Sequence, residues 1–522
     1  MLKIKTIKKT LLRSENLNYL AIMLFAVLSF ILISNHEPYR DEAVQWLKAR
    51  DSQNLSSFLK LLGYGGHIGL WPFILFLLTK LGLPYFSMSL VHSLLMLTAV
   101  VVFVRYAPFS RLQKLLFIFG YYPFYEYNAI ARSYVLSVLF LFLIAVMHEK
   151  RFTKPVLYSF LIFLLANTNV HTLVIALVLS TVYVFELINK NILNTTLHDK
   201  LAISIVILGI SLAVFQLWPH QDQNPDTVVW NFELTATHFS VLPRSILGAF
   251  LPIPRLRLTF WAPKLVSYSL SELLILAVPL FFLSSVFLIK KTKPLLIYLF
   301  SCFGLFSLFF LKYPQYPGGL RHHGLIFIVF IFSLWIATDY KDELQVKFRL
   351  INRLFRKRVL TVLFTGLLSI HAAVSPVVFY YDLNYDFSAG KKTAYFLIKN
   401  GYINEHTFIA TYWSPFKTSI LPYIRKPYSK FYFVGYQDFR SFIIGNTDYT
   451  KSKNLTIDEV VDRIDRATRG KHYTTTLLIL GKRMVEKGVD INKKFNEKYQ
   501  LIAYFDKTIV DEESLYIYKL KD

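Results

Sequence analysis

Apolar residues in this chain collect in long unbroken runs. The first is "NYLAIMLFAVLSFILIS" (18–34), and others lie near 85–104, 114–127, 133–148, 155–169, 171–188, 201–218, 268–290, 294–311, 323–338 and 359–381. Several approach the ~20 residues a helix needs to cross hydrocarbon. The pattern predicts an α-helical polytopic membrane protein with about eleven transmembrane helices. A further segment, "HIGLWPFILFLLTKLG" (67–82), has a shorter apolar part and reads as interfacial or re-entrant. From about 382 the pattern changes. Short β-rich runs at 407–412, 431–436, 475–481, 500–505 and 514–520 alternate with helix-like stretches at 388–400 and 456–469. In the second stretch, Thr456 stands before Asp458 and Glu459 as a helix-start signal. Such alternation predicts a small α/β domain. The division is therefore a transmembrane domain at 1–381, with a first loop at 35–84, and an α/β domain at 382–522.

Composition agrees with the runs. The 522 residues are 54% hydrophobic and 17% charged, below the ~25% charged of soluble domains. The net charge of +25 raises nucleic acid as a partner, but the surplus sits in short segments between apolar runs. These are "RYAPFSRLQK" (105–114), "HEKRFTK" (148–154), "NKNILNTTLHDK" (189–200), "KKTK" (290–293) and "DELQVKFRLINRLFRKR" (342–358). Basic connecting loops face the cytoplasm. That rule sets the N-terminus inside, leaves 67–82 uncrossed, and puts the C-terminal domain outside an inner (plasma) membrane. The basic start "MLKIKTIKKTLLR" reads as an uncleaved signal anchor. The lone cysteine, Cys302, excludes an intramolecular disulfide. The chain carries no Walker A, GxGxxG, CxxC or HExxH motif.

The outside face collects the unusual polar residues. In "HEPYRDEAVQWLKARDS" (36–52), Pro38 suits a first helical position. Apolar residues from Ala43 to Leu62 recur at helical spacing, predicting one or two amphipathic helices on the membrane surface, with Trp46 at headgroup depth. Asp41 and Glu42 then fall in a first helical turn, where the dipole favours ionised acids. Such an acid can take a proton from a substrate hydroxyl; the plainer alternative is a solvated first turn. "EYNAIARSYVL" (126–136) puts Glu126 and Arg132 where a span meets water. Arg132 can grip phosphate oxygens or snorkel as an anchor. "PGGLRHHGL" (317–325) sets Arg321, His322 and His323 behind a Gly-Gly turn, and basic residues on this face imply an anionic partner. His67, in "GYGGHIGLWP" (63–72), also follows glycines; its alternative role is a polar helix cap. A divalent metal on His322, His323, His67 and the acids is a further alternative, although adjacent histidines lack a dedicated ligand spacing.

The order of these pieces, "RDE", "GGHIGLWP", "EYNAIARSYVL" and "GGLRHHGL", resembles the GT-C glycosyltransferases over about residues 15–340. The nearest likeness is to the bacterial relatives of protein O-mannosyltransferases and of lipid A aminoarabinose transferases. The resemblance implies an inverting enzyme that moves a sugar from a polyprenyl-phosphate donor to a glycan, lipid or protein acceptor at the non-cytoplasmic membrane face. It further implies Asp41 as general base with Glu42 beside it, and Glu126 as the acid of the second outside loop. Arg132, Arg321 and His322 become donor-phosphate ligands, with His67 and His323 near them. Neither a cofactor nor nucleic acid is called for. The chain departs from the usual "E-A-R" arrangement, because Ile130 occupies that acid's place. A transporter or flippase would show ionisable residues in mid-membrane or paired broken helices. A scaffold would account for the outer domain but not for the grouped Arg, His and Asp.

Overall fold

The computed structural model describes residues 2–521 except 67, 191–195, 224–231, 233–234, 255–256, 262–269, 313–318, 342–356, 413–417, 447–454, 482–483, 487–488 and 491. It gives the backbone alone for 2–15, 190, 236–237, 270–272, 312, 357, 485–486, 489–490 and 493–494. His67 lies outside the described residues. The first six helices are α1 (Leu2–Asn35), α2 (Arg40–Asp51), α3 (Leu55–Gly63), α4 (Leu70–Lys80), α5 (Phe86–Tyr106) and α6 (Arg111–Ile118). Then come α7 (Tyr134–Met147), α8 (Pro155–Ala166), α9 (Val170–Lys190), α10 (Leu197–Leu217), α11 (Ala236–Phe250), α12 (Leu270–Val286), α13 (Thr292–Lys312), α14 (Leu320–Ile336) and α15 (Lys357–Asn384).

Among the described residues seven helices are long and apolar enough to cross a membrane: parts of α1, α5, α9, α10, α13, α14 and α15. The protein is membrane-embedded and mostly helical. Shorter apolar helices stand at Leu70–Lys80, Tyr134–Met147, Pro155–Ala166 and Leu273–Val286. The run at 114–127 is not one helix. α6 stops at Ile118, and a wide turn at Tyr122–Glu126 containing Pro123 follows. Proline lacks the amide hydrogen that an uninterrupted helix needs there.

Burial separates the centre from the rim. In α14, 83% of the apolar window is buried, against 22% in α10. α14 is apolar all round, as a helix enclosed by others must be. α10 leaves Ile207, Leu208 and Phe215 exposed, a face suited to lipid rather than water. Gly324 lets α14 approach the Tyr122–Glu126 turn. A Cβ there would overlap the Tyr122 ring and the Tyr127 hydroxyl. Neither can yield easily, since Tyr122 Oη donates to the Gly248 carbonyl and Tyr127 Oη to that of Arg321.

Past α15 the chain forms an α/β domain with α16 (Gly390–Lys399), α17 (Ile457–Thr468) and α18 (Lys493–Lys498). The strands are β1 (Thr407–Thr411), β2 (Phe431–Phe433), β3 (Asp438–Arg440), β4 (Thr475–Leu480), β5 (Val485–Glu486), β6 (Val489–Asp490), β7 (Tyr499–Phe505) and β8 (Leu515–Leu520). The main sheet runs β3-β2-β1-β4-β8-β7; β1 is parallel to β2 and β4, and the other pairs are antiparallel. All five strands expected from the sequence are present, and β3 and the β5–β6 hairpin join them. Side chains alternate across a strand. Ile409, Leu477 and Ile479 therefore pack with Ala394 and Leu397 of α16. Phe408, Ala410 and Leu478 pack with Val460, Val461 and Ile464 of α17. The sheet is covered on both faces. Thr456 caps α17, accepting from the Glu459 amide while the Glu459 carboxylate accepts from its own.

The predicted loop helices exist as α2 and α3, but α2 starts at Arg40, two residues past Pro38. Nor does α2 lie open on a surface: Trp46 packs on Tyr85, and Leu47 belongs to the apolar core of the C-terminal domain. If close helix packing at Gly324 supports this arrangement, Gly324→Ala should cost about 1–3 kcal/mol of overpacking. The check is a lower thermal midpoint of the purified protein in detergent.

Candidate active site

Three segments far apart in sequence meet at Asp41. The acid occupies the first turn of α2, where the helix dipole favours its charge. Its Oδ2 accepts from Tyr39 Oη at 2.9 Å and stands 3.0 Å from Arg132 Nη1 and 3.3 Å from Arg321 Nη2. Arg40 Nε lies 3.5 Å from Oδ1. Arg321 Nη1 donates to Tyr39 Oη at 2.8 Å, so one hydroxyl joins the guanidinium to the carboxylate. The Asp41 side chain is 30% exposed, whereas Arg132 and Arg321 are 13% and 17%. Asp41 and Arg40, the latter 27% exposed, are thus the accessible members of the group. Burial acts to raise its pKa, but Arg132, Arg321 and Arg40, with the Tyr39 hydroxyl, outweigh it and hold the carboxyl well below the usual range.

Arg321 is placed at some cost. It sits in the first turn of α14, where a helix dipole disfavours a cation, and its Nε has no hydrogen-bond partner. The Trp261 ring lies 5.5 Å from the guanidinium, within cation–π range. Trp261 Nε1 in turn donates to Glu126 Oε2 at 3.1 Å, and Tyr121 Oη donates to the same oxygen at 2.7 Å. Glu126 is buried, and its Oε1 has no hydrogen-bond partner. The structure therefore sets Glu126 behind Trp261 on the inner side of the cationic group.

Arg132 is held through its backbone. Residues 120–131 are buried throughout. His92 of α5 has Nδ1 3.2 Å from the Asn128 carbonyl and Nε2 3.2 Å from the Arg132 amide. Asn128 donates to Ser29 Oγ of α1 and accepts from Ser93 Oγ. Glu42 completes the seat: one carboxylate oxygen accepts from the Tyr39 amide at the head of α2, the other from the Ala131 amide. Fully buried, Glu42 holds α2 and the Arg132 loop at a fixed spacing. Of the two adjacent acids, Asp41 faces the opening and Glu42 the framework.

His322 and His323 pack among helices. His322 stacks on His171 with ring centroids 4.7 Å apart, turns an edge to Tyr134, and accepts from the Gly319 amide. His323 packs edge-on to Phe309. Among the described residues no group of three or more His, Cys, Asp or Glu side chains is arranged to hold a metal ion. Trp71 packs on His92, and Arg244 lies in α11.

Sequence reading missed Tyr39, His36, Asp382 and Glu513. His36 Nδ1 stands 2.9 Å from Asp382 Oδ2, and its Nε2 is 3.8 Å from Glu42 Oε2. Tyr125 Oη donates to the same Asp382 oxygen at 2.7 Å. Glu513, from the C-terminal domain, accepts from the Arg40 amide at 3.2 Å and from Ser388 Oγ. The one available signal was Asp382, a lone acid near the end of a long apolar run. Burial acts to lower the His36 pKa, but Asp382 and Glu42 raise it to about 10.

His36 ordinarily titrates near 6.5, so its proton is held more tightly in the folded protein. Its stabilising contribution is complete below about 6.5 and is lost as pH rises through about 10. Buried Lys48, lowered to about 8, acts with the opposite sign across part of that window, so the difference between two proteins is the clean quantity. Thermal midpoints of the wild type and His36→Gln, taken between pH 6.5 and 10, should converge as pH rises. Parallel curves would remove the His36–Asp382 ion pair.

No family model and no curated protein matches this chain.

Proposed function

We propose that this chain is a GT-C-type glycosyltransferase that moves a sugar from a polyprenyl-phosphate donor to an acceptor hydroxyl on the non-cytoplasmic face. The observation that carries the reading is the clasp at Asp41: one accessible carboxylate with Arg40, Arg132 and Arg321 around it, at the end of an apolar helical body. Fixed guanidiniums suit phosphate oxygens. A phosphate tethered to a lipid tail would reach them from the bilayer beside the helices.

Asp41 takes the acceptor hydroxyl proton as the oxygen attacks the anomeric carbon. The new carbon–oxygen bond forms as the bond to the phosphate oxygen breaks, and the phosphate leaves with the electron pair. Attack opposite the leaving group inverts the anomeric configuration. Arg132 and Arg321 face the charge that grows on the phosphate, in a site dry enough to strengthen the interaction. Tyr39 orients Arg321 against Asp41, and Glu126 balances Arg321 from the buried side through Trp261. Eleven crossings follow if the interrupted segment 111–126 counts as one and neither Leu70–Lys80 nor α11 crosses. The N-terminus is then cytoplasmic, and the clasp and the α/β domain lie outside the inner membrane.

The purified protein, given labelled polyprenyl-phosphate sugars and an acceptor mixture, should transfer sugar. Asp41→Asn should lower transfer by ~10²–10⁴-fold while donor binding survives. Arg321→Ala should weaken donor binding by about 10–100-fold, the loss expected for a charged hydrogen bond. Full transfer by Asp41→Asn would remove the base assignment. Absence of donor binding by the wild type would remove the function.

A further inference from the structure

The clasp poses a chemical difficulty that also suggests its solution. Asp41 Oδ2 sits on Tyr39 Oη, Arg132 Nη1 and Arg321 Nη2 together. An N–H directed at a carboxylate oxygen cannot serve a phosphate oxygen at the same time. In this arrangement the base takes up Arg132 Nη1 and Arg321 Nη2, one nitrogen of each guanidinium.

We infer that the donor phosphate exchanges for Asp41 on Arg132 and Arg321, so that the base is freed only when donor is seated. This rests on the proposed reading of the site as a polyprenyl-phosphate-sugar site. Three features support exchange over simple addition. The carboxylate is the more exposed partner, at 30% against 13% and 17%, so an anion reaching the guanidiniums from the open side meets Asp41 first. Arg132 and Arg321 converge on the one carboxylate of Asp41 with Glu126 behind, while Arg40 is shared with Glu512 at 3.1 Å, and the two like charges crowded together favour an added anion. Finally, Arg321 is anchored apart from Asp41, by the Trp261 ring and, at its backbone carbonyl, by the Tyr127 hydroxyl, so it can change partners while its helix stays in place.

The consequence is an order of events. While clasped, Asp41 is held far below the ordinary carboxylate range and draws a hydroxyl proton weakly. Once phosphate takes the guanidiniums, Asp41 loses two cationic neighbours and gains an anionic one, both of which raise its basicity. The carboxylate is then next to the sugar it must act upon. Water, reaching a site without donor, meets a disabled base.

Competition makes a prediction that a plain phosphate site does not. Removing the internal anion should tighten phosphate binding. Full-length wild type and Asp41→Asn in detergent are titrated with undecaprenyl phosphate, with undecaprenol and inorganic phosphate as the lipid-only and anion-only arms. Asp41→Asn should bind undecaprenyl phosphate ~10-fold more tightly, about one charged contact's worth, with undecaprenol binding unchanged. Tyr39→Phe, which loosens the same clasp and keeps the acid, should shift affinity the same way by less. It serves as a second route if Asp41→Asn folds poorly. Equal or weaker phosphate binding in both variants would overturn exchange and leave the donor-site reading standing. Binding of undecaprenol as tight as undecaprenyl phosphate by the wild type would overturn both.

Discussion

Two guanidiniums on one carboxylate oxygen form the constraint around which the junction of the helical body and the α/β domain is built. Arg132 and Arg321 come from segments nearly two hundred residues apart, and both converge on Asp41. Unit charges ~4 Å apart at a protein surface interact by roughly 4 kcal/mol before desolvation is counted, so an anion between the guanidiniums offsets much of their mutual repulsion. Everything nearby serves to aim the three groups. Glu42 spaces α2 from the Arg132 loop, His92 and Asn128 tie that loop to α5 and α1, and Gly324 admits α14 close to the turn before it.

The C-terminal domain belongs to this frame. Leu47 of α2 is buried in the domain's core, Arg50 donates to the Leu421 carbonyl, and Glu513 receives the Arg40 amide. α2 is gripped from one side by membrane helices and from the other by the sheet domain. Without the tail, α2 would be half covered. Here the tail shares the work of holding the helix that carries Asp41. Asp382 and His36 extend the same connection, joining the end of the last membrane helix to the start of the first loop.

Asp41 and Glu42 illustrate how a pair of neighbours can differ. Adjacent on a helix, they point roughly 100° apart. One meets an opening and three arginines; the other is sealed against backbone amides. A sequence shows two acids in a first turn, and only the surroundings decide which stays accessible and which is a strut.

The chain's own pattern was enough to establish a membrane-embedded helical body, a distinct α/β domain after about residue 382, the strands of its sheet, and acids in the first turn of α2. These are local or periodic properties: apolar run length, alternation and capping signals act within a few residues. The same reading drew one continuous helix through 114–127, where Pro123 and the buried turn break it. It also laid α2 on an open surface, because amphipathic spacing cannot say what covers the other face. His36 and Glu513 were invisible for a related reason, since each matters through a partner remote in sequence, and Asp382 showed only as a lone acid near the end of an apolar run. The packing of α14 against the Tyr122–Glu126 turn decided that Arg321, Arg132 and Asp41 meet. Charges attract through space rather than along the chain, so that meeting had no local signature to read.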